Sequence, residues 1–166
     1  GYDANIRKLI NRAKFDWVIL IGNDDLFLEN SLDYIDEFCT TNNSIAMASR
    51  TFLRFKNDIK DPIGISRLFN EDKIIKITDD PKLIFRTCGF VGGLVINKTW
   101  AISLETTAYD GTLYYQIYLA ANAFCTNGIG YISKITVGAR TGNPPMFGNS
   151  EKDKNIHIPG SYTAKG

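Results

Sequence analysis

The sequence lacks the features that mark membrane-spanning, secreted and zinc-binding proteins. No apolar run approaches the roughly 20 residues that a membrane-spanning helix needs, and residues 1–20 lack a basic segment followed by an apolar signal core. Only three cysteines occur, and the wide spacing of Cys39, Cys88 and Cys125 fits neither a disulfide framework nor a zinc site. We therefore expect a cytoplasmic protein.

Blocks of like charge are also absent. The 19 basic and 18 acidic residues nearly cancel, and no run of one sign is long enough to follow a phosphate backbone or an anionic membrane. Nucleic acid is therefore not an expected partner. With 166 residues, of which 44% are hydrophobic, the chain is large enough for one domain with a sizeable core.

Hydrophobic periodicity predicts helices that alternate with buried strands. The predicted helices cover residues 3–14, 31–41 and 111–125, with helical turns at 81–86 and after Asn97. The predicted strands cover residues 17–21, 44–54, 73–77 and 129–138, together with a glycine-marked strand within 89–97. This alternation predicts an α/β sandwich with a largely parallel sheet. Residues 56–72 are predicted to be an irregular connection, and residues 140–166 a loop, a lid or a tail.

The apolar run at 17–21 leads directly into a polar turn that contains paired carboxylates, Asp24 and Asp25. Ligands of open α/β sheets bind beyond the carboxyl ends of strands. Adjacent carboxylates at that position can hold Mg²⁺ or Mn²⁺ while the ion bridges the phosphates of a substrate. The alternative is a solvated turn before the next helix, because Asn and Asp are favoured in turns.

Residues 15–27 resemble the metal-binding segment of family 2 glycosyltransferases of the GT-A fold, in which an apolar strand closes on a D-x-D or DD cluster. The resemblance extends over residues 3–139 and includes Gly92 and Gly93. Residues 109–116 are similar to the start of the acceptor-side helix in bacterial members that build lipopolysaccharide or capsule. The resemblance implies a GT-A-like α/β/α sandwich that is only partly present in this chain.

The same resemblance implies transfer of a sugar, with inversion, from a nucleoside-diphosphate donor to a saccharide or lipid-linked saccharide acceptor. It implies Mn²⁺ or Mg²⁺ as cofactor. Asn23 occupies the first position of the D-x-D pattern, so Asp25 is the expected metal ligand and Asp24 faces the ribose or the diphosphate. The resemblance implies that the nucleotide-binding half of the family fold is missing before Gly1. We therefore expect a partial domain that binds the donor poorly alone, with any membrane association made through other segments.

An inverting transfer requires a general base beside the acceptor hydroxyl. Asp110 is predicted to be that base from its place along the chain, and Glu105 is a second candidate. The alternative for Asp110 is an N-cap of the 111–125 helix.

Two glycines and the segment around the start of the 111–125 helix are predicted to contact substrates. Gly92 and Gly93 could let the donor sugar lie against the backbone, or could instead form a bulge or a tight strand entry. Tyr115, like Tyr114 and Tyr118, could stack on an acceptor sugar, and Gln116 could hydrogen-bond its hydroxyls, although core packing of this helix is the alternative for the tyrosines. Arg140 and a lysine of the tail are either surface charges or partners of the diphosphate beneath a lid.

Two other functions remain open on sequence alone. A metal-dependent nucleotidyltransferase also uses carboxylates at strand ends, but commonly adds a glycine-rich, basic phosphate loop that is not visible in this sequence. A non-catalytic saccharide-binding or assembly module would keep the pocket without needing a base at Asp110.

Overall fold

The computed structural model of the protein describes residues 1–142, which form five helices and seven strands. The helices are α1 (Tyr2–Arg12), α2 (Ser31–Thr41), α3 (Lys82–Cys88), α4 (Lys98–Ser103) and α5 (Tyr115–Cys125). The strands are β1 (Trp17–Leu20), β2 (Leu26–Phe27), β3 (Met47–Phe55), β4 (Pro62–Ser66), β5 (Lys73–Ile75), β6 (Leu94–Asn97) and β7 (Ile129–Arg140). None of these helices has the length and apolar content of a bilayer span.

The strands form one mixed sheet with the order β1-β6-β3-β7-β2, and β4 and β5 pair off this path with β3 and β7. Only β3 and β7 run parallel, and every other pair is antiparallel. The prediction of a largely parallel sheet is therefore wrong. An uninterrupted apolar run indicates burial on both faces, and helices that cover both faces bury antiparallel strands equally well.

Helices cover the two faces of the sheet with separate hydrophobic clusters. Alternate residues of a strand point to opposite faces, and in β6 the side chains of Leu94 and Ile96 join one cluster while Val95 joins the other. The first cluster packs beneath α1, α4 and α5, and the second packs beneath α2. The result is the expected α/β sandwich, built on an antiparallel rather than a parallel sheet.

Most predicted elements are present, but the connection at 56–72 is not irregular throughout. It contains β4, which pairs with the second half of β3 at the rim of the sheet. Pro62 opens this strand, a position that tolerates a residue without a backbone N–H. Ile63 and Ile65 are more than half exposed, so the strand lacks the buried face that sequence patterns detect.

The helix predicted at 111–125 begins only at Tyr115. Gly111 and Leu113 have φ values of 92° and 65°, in the left-handed region that an α-helix cannot include. Asp110 therefore does not cap this helix. By contrast, the predicted helical turn after Asn97 is confirmed, because the Asn97 side chain accepts a hydrogen bond from the Trp100 N–H at 3.0 Å.

Candidate functional site

The paired carboxylates lie where β1 ends beside the start of β6. Leu20 pairs with Leu94, and the Gly93 N–H donates to the Leu20 carbonyl at 2.6 Å. The turn that carries Asp25 therefore faces the loop before β6. The structure thus brings together the predicted metal ligand and the predicted glycine pair, which lie far apart in the sequence.

Two glycines make room for the Asp25 carboxylate. A Cβ atom on Gly22 would lie 2.7 Å from Asp25 Oδ2, and a Cβ atom on Gly92 would overlap the same oxygen. A side chain at either position would push the carboxylate out of its place. Gly93 has a φ of 83°, and a Cβ there would lie 2.6 Å from Val137. The glycine pair therefore forms a tight entry to β6, the alternative considered for it, and neighbouring side chains lie too close to allow a Cβ at either position.

Asp25 is half-buried, and this burial is the main cause of a raised pKa for its carboxyl. The charge of Asp24 raises the pKa further, whereas the Arg140 N–H, which donates to Asp25 Oδ1 at 3.2 Å, and the charge of Arg50 oppose the rise. The ionised form of Asp25 therefore lowers the stability of the folded protein. A bound cation would relieve both the desolvation and the repulsion between the two carboxylates.

The residues of this turn fit a hard cation that takes only part of its ligands from protein. Within residues 1–142 no group of three or more His, Cys, Asp or Glu side chains is placed to hold a metal ion. Mg²⁺ in particular is commonly bound by one or two carboxylates, with substrate phosphates and water completing its shell. Asp25 and the neighbouring Asp24 supply one or two such carboxylates.

Asp110 forms a two-pronged ion pair with Arg7 of α1. Arg7 Nη2 donates to Asp110 Oδ2 at 2.8 Å, and Nη1 pairs with Oδ1. Arg7 is buried, and its Nε lies 3.8 Å from Glu105 Oε1. The hydrogen bond to Asp110 is the main cause of a raised pKa for Arg7. One arginine thus orients both candidates for the general base.

Asp3 shapes the backbone of the loop that carries Asp110. Its buried carboxylate accepts hydrogen bonds from the N–H groups of Gly111 at 2.9 Å, Leu113 at 3.1 Å and Tyr115 at 3.0 Å. Carboxylates that accept several backbone N–H groups are strongly held in place. Asp3 therefore accepts the backbone N–H bonds near the start of α5 that an N-cap at Asp110, the alternative to its role as base, would have accepted.

Apolar periodicity does not point to Asp3 and Arg7. In the helix predicted at 3–14, the apolar residues at helical spacing are Ile6, Leu9, Ile10 and Ala13. The structure buries Asp3, Ile6, Arg7 and Ile10 instead, and leaves Leu9 half exposed. The actual set has the spacing i, i+3, i+4 and i+7. The sequence feature that could have identified Asp3 and Arg7 is their helical spacing to Ile6 and Ile10, which places all four residues on one face of the helix.

A cavity of about 540 Å³ lies between α1, α3, the start of α5 and the loop before Gly92. It is lined by Tyr2, Phe85, Gly89, Phe90, Val91, Leu113, Tyr114 and Gln116. Gln116 was predicted to contact the acceptor, and its Oε1 accepts from the Tyr2 hydroxyl at 3.2 Å.

Tyr115 does not reach this cavity. Its side chain is only 1% exposed and belongs to the hydrophobic cluster beneath α5, so the prediction that it stacks on a sugar requires correction. Tyr114, which lines the cavity with its ring centroid 5.5 Å from that of Phe85, has the position that a stacking residue needs.

Arg140 is the last residue of β7, and its guanidinium lies 5.3 Å from the centre of the Phe55 ring. Its backbone, rather than its side chain, contacts Asp25. Residues 143–166 of the predicted loop, lid or tail at 140–166, with the lysine at 152, lie outside the described residues.

Among solved structures, the chain is similar to the crystal structure of S. aureus TarS 1-349, with a TM-score of 0.60 and 13% sequence identity over 84% of this chain and 40% of that chain. A second crystal structure of S. aureus TarS matches with a TM-score of 0.55 and 14% identity, over 82% of this chain and 23% of that chain. No protein-family model and no curated protein sequence matches.

The described chain shares the mixed α/β fold and the curled sheet of the GT-A region of TarS. The expected GT-A-like fold is confirmed at this level. At such low identity the similarity shows the fold alone, and the chain spans less than half the length of either TarS structure.

We predict that Asp3→Asn destabilises the protein by about 2–3 kcal/mol, because an amide nitrogen would replace one acceptor oxygen and face backbone N–H donors. Urea unfolding at neutral pH measures the change. The matched variant Asp36→Asn, at an exposed position of α2, should change stability by no more than about 0.5 kcal/mol. Equal stability of the two variants would show that Asp3 does not hold the loop.

We also predict that Asp25→Asn stabilises the metal-free protein at neutral pH. Because the folded-state pKa of Asp25 is raised, its stabilising contribution is present below the unfolded-state pKa of about 3.9 and is lost as the pH rises through the folded-state value. Urea unfolding should show the variant more stable than the parent at neutral pH, and this gain should shrink toward about pH 3. A gain in stability that persists unchanged at acid pH, or an equal gain in Asp36→Asn, would show that the raised pKa of Asp25 is not its cause.

Proposed function

We propose that the chain is part of a metal-dependent glycosyltransferase that transfers a sugar from a nucleoside-diphosphate donor to a saccharide acceptor. One observation carries the proposal: the half-buried Asp25 carboxylate is fixed between Gly22 and Gly92, at a strand end of a fold shared with TarS, which is a GT-A glycosyltransferase. The donor, the acceptor, the metal and inversion of configuration are parts of the proposal, as is a role in lipopolysaccharide or capsule synthesis.

On the donor side, Asp25 would bind the metal and Asp24 would face the ribose or the diphosphate. When bound, Mn²⁺ or Mg²⁺ supplies Lewis-acid stabilisation of the departing diphosphate. Gly92 keeps side-chain atoms away from the carboxylate, and Gly93 continues the side-chain-free backbone that would face the donor sugar. The raised pKa of Asp25 is the cost of presenting a carboxylate in a partly dehydrated position.

On the acceptor side, the cavity of about 540 Å³ falls within the usual size range of small-molecule sites. Its aromatic wall includes Phe85 and Tyr114, and an aromatic face packs well against the apolar face of a sugar ring. Gln116 adds an amide that already hydrogen-bonds Tyr2 and can be shared with a sugar hydroxyl. These features fit a saccharide better than a highly charged ligand.

Asp110 would remove the proton from the attacking hydroxyl of the acceptor. Arg7 fixes the direction of both carboxylate oxygens, and Asp3 fixes the backbone around them. An ionised carboxylate has about four lone-pair positions, so it can accept from Arg7 and from a substrate hydroxyl at the same time. Glu105 is held less firmly, by Asn11 at 3.0 Å and by Arg7 at a longer distance. Asp110 is therefore the stronger candidate for the base.

The same ion pair favours a second function, a non-catalytic saccharide-binding module. Both oxygens of Asp110 are engaged by Arg7, as expected for a carboxylate whose role is to hold the loop beside the cavity. In that case the pocket would bind sugar without the transfer reaction. The two functions differ in what happens when only the charge of Asp110 is removed.

We predict that in the full-length protein Asp25→Ala abolishes sugar transfer supported by Mn²⁺ and weakens metal-dependent donor binding. Asp110→Asn should lower kcat by about 10²–10⁴-fold, the usual contribution of a general base, with little change in donor KM. Transfer of sugar from the nucleoside-diphosphate donor is measured with and without Mn²⁺, and circular dichroism verifies that each variant is folded.

Asp36→Asn is the matched control and should keep parental activity. Transfer that needs no metal and survives Asp25→Ala would rule out the metal-ligand role. Saccharide binding measured by calorimetry that stays intact in Asp110→Asn, in a protein without transferase activity, would instead support the binding module.

A further inference from the structure

A second cavity, of about 280 Å³, lies between α3, the middle of β3 and the segment that follows β4. Three arginines, Arg50, Arg67 and Arg86, contribute to its lining, together with the hydroxyl-bearing side chains of Ser66, Thr87 and Tyr131. No aspartate or glutamate of the described chain lines it. This concentration of positive charge contrasts with the near balance of charge in the whole sequence.

Within the described part of the chain, no carboxylate forms an ion pair with the arginines at this cavity. Across residues 1–142, the ion pairs involve Arg7 and Lys73, and none involves Arg67 or Arg86. Both are exposed at the rim of the cavity. Like charges placed close together repel each other, so this arrangement favours an anion between them.

Arg50 forms a fixed part of the same wall. It is only 2% exposed, and its Nη1 and Nη2 donate to the carbonyls of Thr87 at 3.4 Å and Phe90 at 3.0 Å. Its Nε has no hydrogen-bond partner within the described residues. The guanidinium also lies within about 5 Å of the rings of Phe52 and Phe90. Two carbonyls and two aromatic rings therefore hold this cation in one position.

Burial lowers the pKa of Arg50 to about 10, so the side chain remains charged at neutral pH. A buried charge without a partner is costly. Asp25 acts on Arg50 through its charge, but no ion pair joins the two residues. A bound anion would supply the missing compensation. Planar guanidinium groups match the oxygens of phosphate with paired hydrogen bonds, and the hydroxyl of Ser66 can donate to the same oxygens.

We propose that this cavity is a phosphate-binding site, in which Arg67 and Arg86 bind the anion from the solvent side and Arg50 supplies fixed positive charge behind it. A water molecule takes about 30 Å³ of liquid volume, so a cavity of about 280 Å³ has room for a phosphate group and its nearest waters. The site is distinct from the carboxylate turn, whose negative charge favours a cation. The inference does not depend on the proposed transfer reaction.

Two sources could present such a phosphate: the diphosphate of a nucleotide donor, or a phosphate group on a second substrate. Both use the same chemistry at the arginines. They differ in whether a nucleoside diphosphate with Mn²⁺ competes for the cavity, which gives the experiment its two arms.

In the first arm, inorganic phosphate is titrated into the full chain by calorimetry at constant ionic strength. We expect saturable binding that weakens at least tenfold in the double variant Arg67→Gln/Arg86→Gln. The control Lys8→Gln/Arg12→Gln, at exposed positions of α1, loses the same charge and should bind phosphate as the parent does. No saturable binding by the parent, or an equal loss in the control, would overturn the proposal.

In the second arm, phosphate is titrated again in the presence of uridine diphosphate and Mn²⁺. Unchanged phosphate binding would support the site and assign it to a second substrate. Competition, with uridine diphosphate binding also weakened by Arg67→Gln/Arg86→Gln, would support the site and assign it to the donor. Competition by uridine diphosphate whose affinity is untouched by this double variant would place phosphate elsewhere and overturn the proposal.

Discussion

The contact between the Asp25 carboxylate and the backbone of Gly22 and Gly92 is the constraint on which the candidate site depends. The carboxylate is half-buried, carries a raised pKa and lies beside a second acid. This arrangement costs stability unless a cation is bound, and such costs are typical of functional sites. Because β1 and β6 are hydrogen-bonded neighbours, the close approach is fixed by the sheet itself.

Helix α1 connects the rest of the site to that sheet. It packs on the sheet through Ile6 and Ile10 and, from the same stripe, presents Asp3 and Arg7 to the loop around Asp110. Buried charges on a helix face are uncommon unless each is paired, and both of these are paired with one loop. The candidate base is thus positioned by residues more than 100 positions earlier in the chain.

The sequence predicts the positions of most helices and strands, because hydrophobic periodicity reports burial. It does not predict strand direction: the apolar run at 17–21 is compatible with either a parallel or an antiparallel neighbour once helices cover both faces. Pairing is a long-range property, and the partner of β1 is a strand that begins at Leu94. The rim strand β4 is not predicted because Ile63 and Ile65 are exposed and the strand has no buried face.

The same distinction between local sequence patterns and long-range contacts applies to the candidate site. Asp25 and the Gly92-Gly93 pair were predicted from local patterns, and the structure places them together. Asp3 and Arg7 were not predicted, since their roles arise from contacts across the fold. Tyr115 and Tyr114 are adjacent, and only the backbone conformation before α5 decides that Tyr115 is buried and that Tyr114 faces the cavity.

A crystal structure of the full-length protein with a bound nucleoside diphosphate and Mn²⁺ would test the metal-ligand role of Asp25 most directly. We expect an Asp25 carboxylate oxygen bound directly to the ion, at a metal–ligand distance of roughly 2 Å, with the diphosphate bound to the same ion. An ion bound to the diphosphate without contact to Asp25, or a diphosphate bound away from the Gly92-Gly93 loop, would contradict it.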